Sequence, residues 1–125
     1  MRYVCLIYNE TTGPDTVSGG GREAAAAEAL IYGEDLRRRG YLIAAEALQS
    51  ARAAVTVRLR NGRASTTEGP AAETGEQLNG FVLIEARDLN EAIQVASKMP
   101  EARVGSIEVR PIRESHRADR WLRGG

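Results

Sequence analysis

Reactive side chains are scarce in this sequence, which has one cysteine, Cys5, one histidine, His116, and one lysine, Lys98, in 125 residues. A single cysteine closes no internal disulfide, and Cys5 alternates with aliphatic residues in Tyr3-Val4-Cys5-Leu6-Ile7 as a small buried hydrophobe does. No histidine lies near it to draw off the thiol proton, so a nucleophilic role is not expected. His116 stands isolated, without the positioned partner that a general base needs. One histidine and one distant cysteine also make no zinc-ligand set, and neither metal nor cofactor is expected. Seventeen basic residues balance seventeen acidic ones, so nucleic acid and anionic membranes are not expected partners. No apolar run approaches the roughly 20 residues that span a bilayer. The opening Met1-Arg2-Tyr3-Val4-Cys5-Leu6-Ile7-Tyr8 is too short and too strand-like for a signal peptide, so a cytoplasmic protein is expected. Ser18-Gly19-Gly20-Gly21 lacks the Lys-Ser/Thr of a phosphate loop and the third spaced glycine of a dinucleotide fingerprint, and reads as a flexible loop.

What is present is a regular alternation of strand and helix patterns. The length suits one domain over residues 1–113, with a tail over 114–125. Tyr3 to Tyr8 predicts a strand buried on both faces, and the Asn9-to-Gly21 stretch, with Gly13-Pro14-Asp15, ends it. Arg22 to Arg39 predicts a helix with Ala25, Ala29, Tyr32 and Leu36 on one stripe, closed by Gly40. Leu30 and Ile31 lie off that stripe, as a subunit contact would require. Tyr41 to Ala47 and Ala54 to Arg60 read as strands, and Asn61-Gly62 turns the second into a hairpin arm through Thr67. Phe81 to Ala86 is a further strand, and Asp88 with Glu91 marks a helix start. Leu89, Ala92, Ile93, Ala96 and Met99 form the stripe of that helix, Pro100 ends it, and Gly105 to Ile112 is the last strand. The order β-α-β-(hairpin)-β-α-β predicts an α+β, ferredoxin-like βαββαβ fold with an added hairpin, its helices on one face of a mainly antiparallel sheet. The other face then needs cover, and a second sheet packed against it, in a homodimer, supplies it.

Between the hairpin and the next strand lies the polar run Thr67-Glu68-Gly69-Pro70-Ala71-Ala72-Glu73-Thr74-Gly75-Glu76-Gln77-Leu78-Asn79-Gly80, where Gly69-Pro70 forces a turn. Its density of acids and turn-formers reads as the rim of a pocket or of a subunit contact. The segment from Glu68 to Phe81, followed by Asp88-Leu89-Asn90-Glu91-Ala92-Ile93 and Gly105-Ser106-Ile107-Glu108-Val109-Arg110-Pro111-Ile112, closely resembles the DGPF-type branch of the YCII-related proteins. Arg2 to Tyr8 and Leu36-Arg37-Arg38-Arg39-Gly40 match as well, so the resemblance runs from Met1 to about Arg113. It implies a dimeric α/β-barrel of ferredoxin-like subunits, related in fold to muconolactone isomerase-like and antibiotic-monooxygenase-like proteins. It implies no particular reaction. The branch's Asp-Gly-Pro-Phe is here Glu68-Gly69-Pro70-Ala71, which removes an aromatic wall, and Gly75 stands where lysine is usual. The histidine and aspartate proposed as a catalytic dyad in the other, YciI-like branch correspond to Ala29 and Arg38, so that dyad is not carried over.

Two functions follow as expectations. One is a small-molecule site lined by Tyr8, Tyr32, Glu68, Glu73 and Arg110, with Glu68 as the catalytic base of an isomerase- or dehydrohalogenase-like proton transfer. Against it stands Glu68 as a brace for the Gly69-Pro70 turn, with Glu73 and Thr74 holding the loop on a partner. The other function is a non-enzymatic, ligand-sensing or regulatory module, for which the resemblance implies an extracytoplasmic-function sigma factor as partner. The tail reads as a short helix docking Trp121 and Leu122, in preference to a nucleic-acid arm built on Arg117, Arg120 and Arg123.

Overall fold

Alternation along the first strand sets the layers of this molecule. In the computed structural model, which describes residues 1–10, 19–72 and 75–114, Tyr3, Cys5 and Ile7 of strand β1 (Arg2–Glu10) are buried on one face of the sheet. Helix α1 (Gly19–Arg38) follows, then strands β2 (Leu42–Ala47), β3 (Val55–Arg60), β4 (Arg63–Glu68) and β5 (Glu76–Glu85). Helix α2 (Leu89–Ser97) and strand β6 (Ser106–Pro111) complete the described order, with short 3₁₀ turns at Ala51–Ala53 and Pro100–Arg103. Four strands form one sheet in the order β2-β5-β1-β6, every neighbouring pair antiparallel, while β3 and β4 pair only with each other. This is the expected α+β arrangement, ferredoxin-like, with a hairpin inserted between β2 and β5. The Gly13-Pro14-Asp15 turn, Glu73, Thr74, and the tail with His116 and Trp121 lie outside the described residues.

The core lies between the Tyr3/Cys5 face and the two helices, where Leu36 of α1 meets Ile84 and Ala86 and, from α2, Ala92, Val95 and Ala96, with Met99 just beyond. Leu36, Tyr32 and Ala29 keep to the apolar stripe read from the sequence, with Leu36 buried and the other two half-buried. The α2 stripe differs. Ala92, Val95, Ala96 and Met99 are buried, whereas Leu89 and Ile93 are exposed, so the helix is rotated from the expected face onto the i, i+3, i+4, i+7 set beginning at Ala92. Its start is as expected. Asp88 accepts from the Glu91 N–H at 2.9 Å, and Glu91 reaches back to accept from the Arg87 N–H at 2.9 Å.

Helix α1 begins at Gly19, three residues before the expected start, so Gly19–Gly21, read from the sequence as loop, are helical; it ends at Arg38, one residue before the expected end, with Gly40 closing it. Gly40 takes φ 83°, its N–H donates to the Arg37 carbonyl at 3.1 Å, and the Tyr41 N–H donates to the Leu36 carbonyl at 2.9 Å. That pair of bonds is a Schellman closure, which needs a left-handed residue and so favours glycine. The Asn61-Gly62 turn of the hairpin is left-handed at both residues, with φ 53° and 75°.

Strand β5 departs most from the sequence reading. It starts at Glu76, not Phe81, so the second half of the polar run is sheet: Glu76, Gln77 and Leu78 pair with Glu10, Asn9 and Tyr8, with a bulge between Ile7 and Tyr8. Pairing with β1 satisfies that stretch of main chain, and Gln77 is buried within it. On the other side of β1, Gly105 lies so close to the Tyr8 carbonyl that a methyl group would overlap it. Gly105→Ala is expected to destabilise by roughly 1–3 kcal/mol through overpacking. Gly33→Ala, in α1 with nothing within 4 Å of the added carbon, should stabilise by about 0.5–1 kcal/mol. Urea denaturation of both variants checks the contrast; equal effects would show that the close approach does not govern the strand pairing.

Candidate functional site

With both helices on the Tyr3/Cys5 face, the alternate residues of each strand line the opposite face, where Val4, Leu6, Phe81 and Leu83 are half-buried. Its centre is apolar. Val4 pairs with Leu83, Leu6 pairs with Phe81, and Ala44 of β2 stands beside Leu83. Tyr8 continues the row on β1, between Leu78 and Ser106. Along β6 the same face presents Glu108 opposite Leu6 and Arg110 opposite Val4, and the Arg110 guanidinium pairs with the Glu108 carboxylate. Ser106 donates to Glu76 at the Tyr8 end. The face is thus an apolar floor with a phenol at one end and an ion pair along its β6 edge. Tyr8 and Arg110 share it but stand four residues apart in register, about 13 Å at strand spacing.

Glu68 is elsewhere, at the last position of β4 opposite Val55. The following turn is left-handed at Gly69, φ 100°, and is held by the main chain and a threonine. The Gly69 N–H donates to the Ala54 carbonyl at 2.7 Å, and the Thr56 hydroxyl donates to the Gly69 carbonyl at 2.7 Å. The Glu68 side chain is exposed and takes no part in those bonds. Glu73 lies outside the described residues.

Tyr32 faces the helix layer, on the far side of the sheet from Tyr8 and Arg110. Its hydroxyl donates to the Val95 carbonyl at 2.7 Å, tying α1 to α2, and burial raises the phenol above its ordinary value, with Arg39 opposing and Asp35 adding. The ring lines a cleft of about 380 Å³ between α1 and the Pro100–Arg103 turn, together with Ile31, Arg38, Lys98 and Pro100. Of the cleft's acids, Glu28 pairs with Arg103 and Asp35 pairs with Arg39. Of the five residues read from the sequence as one site, then, two share the open sheet face, one lines the helix-side cleft, one sits at the hairpin base, and one is not described.

A family model for the YCII-related domain matches residues 1–116. This chain belongs to that family. An uncharacterised protein of Rhizobium meliloti (strain 1021) is 33% identical over 114 residues, covering 90% of this chain and 92% of the relative. Among solved structures, the chain is similar to 5-chloro-2-hydroxyhydroquinone dehydrochlorinase from Burkholderia phenoliruptrix AC1100, in complex with 2,5-dihydroxybenzoquinone. The TM-score is 0.56 at 13% identity, over 94% of this chain and 98% of that one. At that identity the likeness concerns the fold.

Sequence reasoning about this YCII-related protein missed the cleft of Glu28, Arg38, Lys98 and Arg103. The helical half carried a signal, since Glu28, Ile31, Tyr32, Asp35 and Arg38 recur at spacings of three and four. The Lys98–Arg103 half joins only through tertiary packing. Among the described residues no group of His, Cys, Asp and Glu is placed to hold a metal ion, and no helix is long and apolar enough to cross a membrane. Cys5 is fully buried, and burial pushes its thiol from 9.0 up to about 11. The unfolded chain therefore releases this proton at lower pH than the folded one. The stability so gained is complete below pH 9.0 and is lost as pH rises towards about 11. Denaturant melts should show a steeper alkaline loss in the parent than in Cys5→Ala, and a thiol reagent at pH 8 should label Cys5 only on unfolding. Rapid labelling of the native protein would contradict this placement.

Proposed function

We propose that this YCII-related protein is a homodimer, a dimeric α/β-barrel in which two open sheet faces pack together, and that it binds a small aromatic molecule beside that interface. The observation that carries the reading is the open face itself, an apolar floor of Val4, Leu6, Phe81 and Leu83 edged by Tyr8 and the Arg110–Glu108 pair. Such a floor is costly to leave in water and matches the apolar walls and few polar groups of small-molecule sites. Tyr8 supplies a hydroxyl and Arg110 a cation for an oxygen-bearing ring, and Glu73 joins them in this reading, whereas Tyr32, bonded to Val95 on the helix side of the sheet, does not reach the same ligand.

In this reading Glu68 is the base. A carboxylate that shuttles a proton from a ring hydroxyl to a ring carbon performs an isomerisation. Where that carbon bears a halogen, the same step prepares departure of the halide with its bonding electrons as a second hydroxyl becomes a carbonyl, a net loss of one HX. Similarity of fold to a dehydrochlorinase supports halogenated phenols as the class to try first. A carboxylate works as a base near neutral pH when apolar cover raises its proton affinity, and Glu68 is exposed in the single chain. That exposure favours a second reading, a ligand-sensing module without turnover, for which the resemblance names an extracytoplasmic-function sigma factor as partner.

One set of measurements separates them. Incubated with a halogenated hydroquinone, the protein is expected to release halide, and Glu68→Gln is expected to reduce the rate by about 10²-fold or more. Binding of the compound without halide release or isomerisation, unchanged in Glu68→Gln, would move the assignment to sensing. Sedimentation should show a dimer, and Phe81→Asp, which puts a charge on the apolar floor, should yield monomer.

A further inference from the structure

The β3–β4 hairpin has a surface for which this chain provides no described contact. Its six register pairs run from Val55 opposite Glu68 to Arg60 opposite Arg63, and it forms a sheet separate from the main one. Alternation gives it two unlike faces. Thr56, Arg58 and Arg60 lie on one with Thr67, Ser65 and Arg63; Val55, Val57 and Leu59 lie on the other with Glu68, Thr66 and Ala64. The three aliphatic side chains on the second face are 61%, 64% and 64% exposed. A two-stranded hairpin is at best marginally stable alone in water, and an uninterrupted apolar row on one invites pairing.

We propose that this hairpin is an intersubunit arm whose Val55, Val57 and Leu59 row packs against a second copy of the chain. The inference rests on the homodimer reading above and adds a contact that reading does not require. Interface size argues for a second copy. The open sheet face presents about fifteen residues, every second one along β1, β2, β5 and β6. A stable interface takes roughly 20–30 residues a side. The apolar face of the hairpin adds six residues from the same chain, and a two-fold axis lets each subunit extend its arm to the other. Glu68 shares that face at the root of the arm, beside Val55, so the contact that buries the aliphatic row also brings the partner over the carboxylate. The site proposed above is then complete only in the dimer.

The test uses the double variant Val57→Thr/Leu59→Thr, since threonine keeps β propensity while removing most of the apolar row. Far-UV circular dichroism should match the parent. Sedimentation equilibrium should give a dimer dissociation constant at least tenfold weaker, and Arg58→Thr/Arg60→Thr, on the opposite face, should leave it within about threefold. Amide exchange across Val55 to Leu59 should slow as the parent is concentrated through its dissociation constant. A double variant that dimerises as tightly as the parent, with hairpin amides exchanging equally fast at both concentrations, overturns the arm. If Phe81→Asp is then monomeric, the face-to-face dimer still stands and the hairpin is free for a different partner. A parent chain that sediments as a monomer overturns the dimer reading and the arm together.

Discussion

The antiparallel pairing of β1 on both its edges is the constraint from which the rest of this molecule follows. Because β5 and β6 flank β1 in register, Tyr3, Cys5 and Ile7 must share a face with Ile84, Val82, Val109 and Ile107. Both helices bury their stripes there, so the alternate residues, Val4, Leu6, Phe81 and Leu83, are committed to the other face. A one-residue slip would exchange the two sets. Two features guard the register near Tyr8: the bulge that gives β5 an extra residue, and Gly105, whose missing side chain lets the main chain pass against the Tyr8 carbonyl.

A sheet covered on one side supports two uses at once. The helix side is filled by Leu36, Ile84, Ala92 and Met99, and its concavity is the shallow cleft beside Tyr32. The open side has the apolar centre of a subunit contact, with Tyr8 at one end and the Arg110–Glu108 pair along the β6 edge. The proposed chemistry asks for an apolar environment around a carboxylate, and one chain does not surround Glu68. Dimerisation and activity are thus linked in this reading by a single requirement, exclusion of water.

The sequence was most legible where local chemistry decides structure. Asn61-Gly62, Gly40 and the Asp88/Glu91 cap act through bonds made within a few residues, and the structure has each as expected. It was least legible where partners distant in sequence decide. Glu76 to Asn79 looks like loop because it is polar, yet it is strand because β1 satisfies its main chain. Leu89 and Ile93 fit an apolar stripe as well as Val95 does, and only packing selects Val95. For the site, residue types suited to a pocket were visible. Their distribution over two sides of a sheet and a separate hairpin was not, because the face a strand residue occupies depends on pairing and on which side the helices pack.

The sequence by itself determined the order of elements, their caps and turns, the buried character of Cys5 and the membership in the YCII-related family, all of which rest on short-range patterns or direct residue matches. Only the tertiary structure decided that Tyr8 and Arg110 share a face from which Tyr32 is excluded, and that Glu68 stands on a hairpin outside the main sheet. Those are consequences of long-range strand pairing, whose hydrogen bonds place residues far apart in sequence at fixed positions in space.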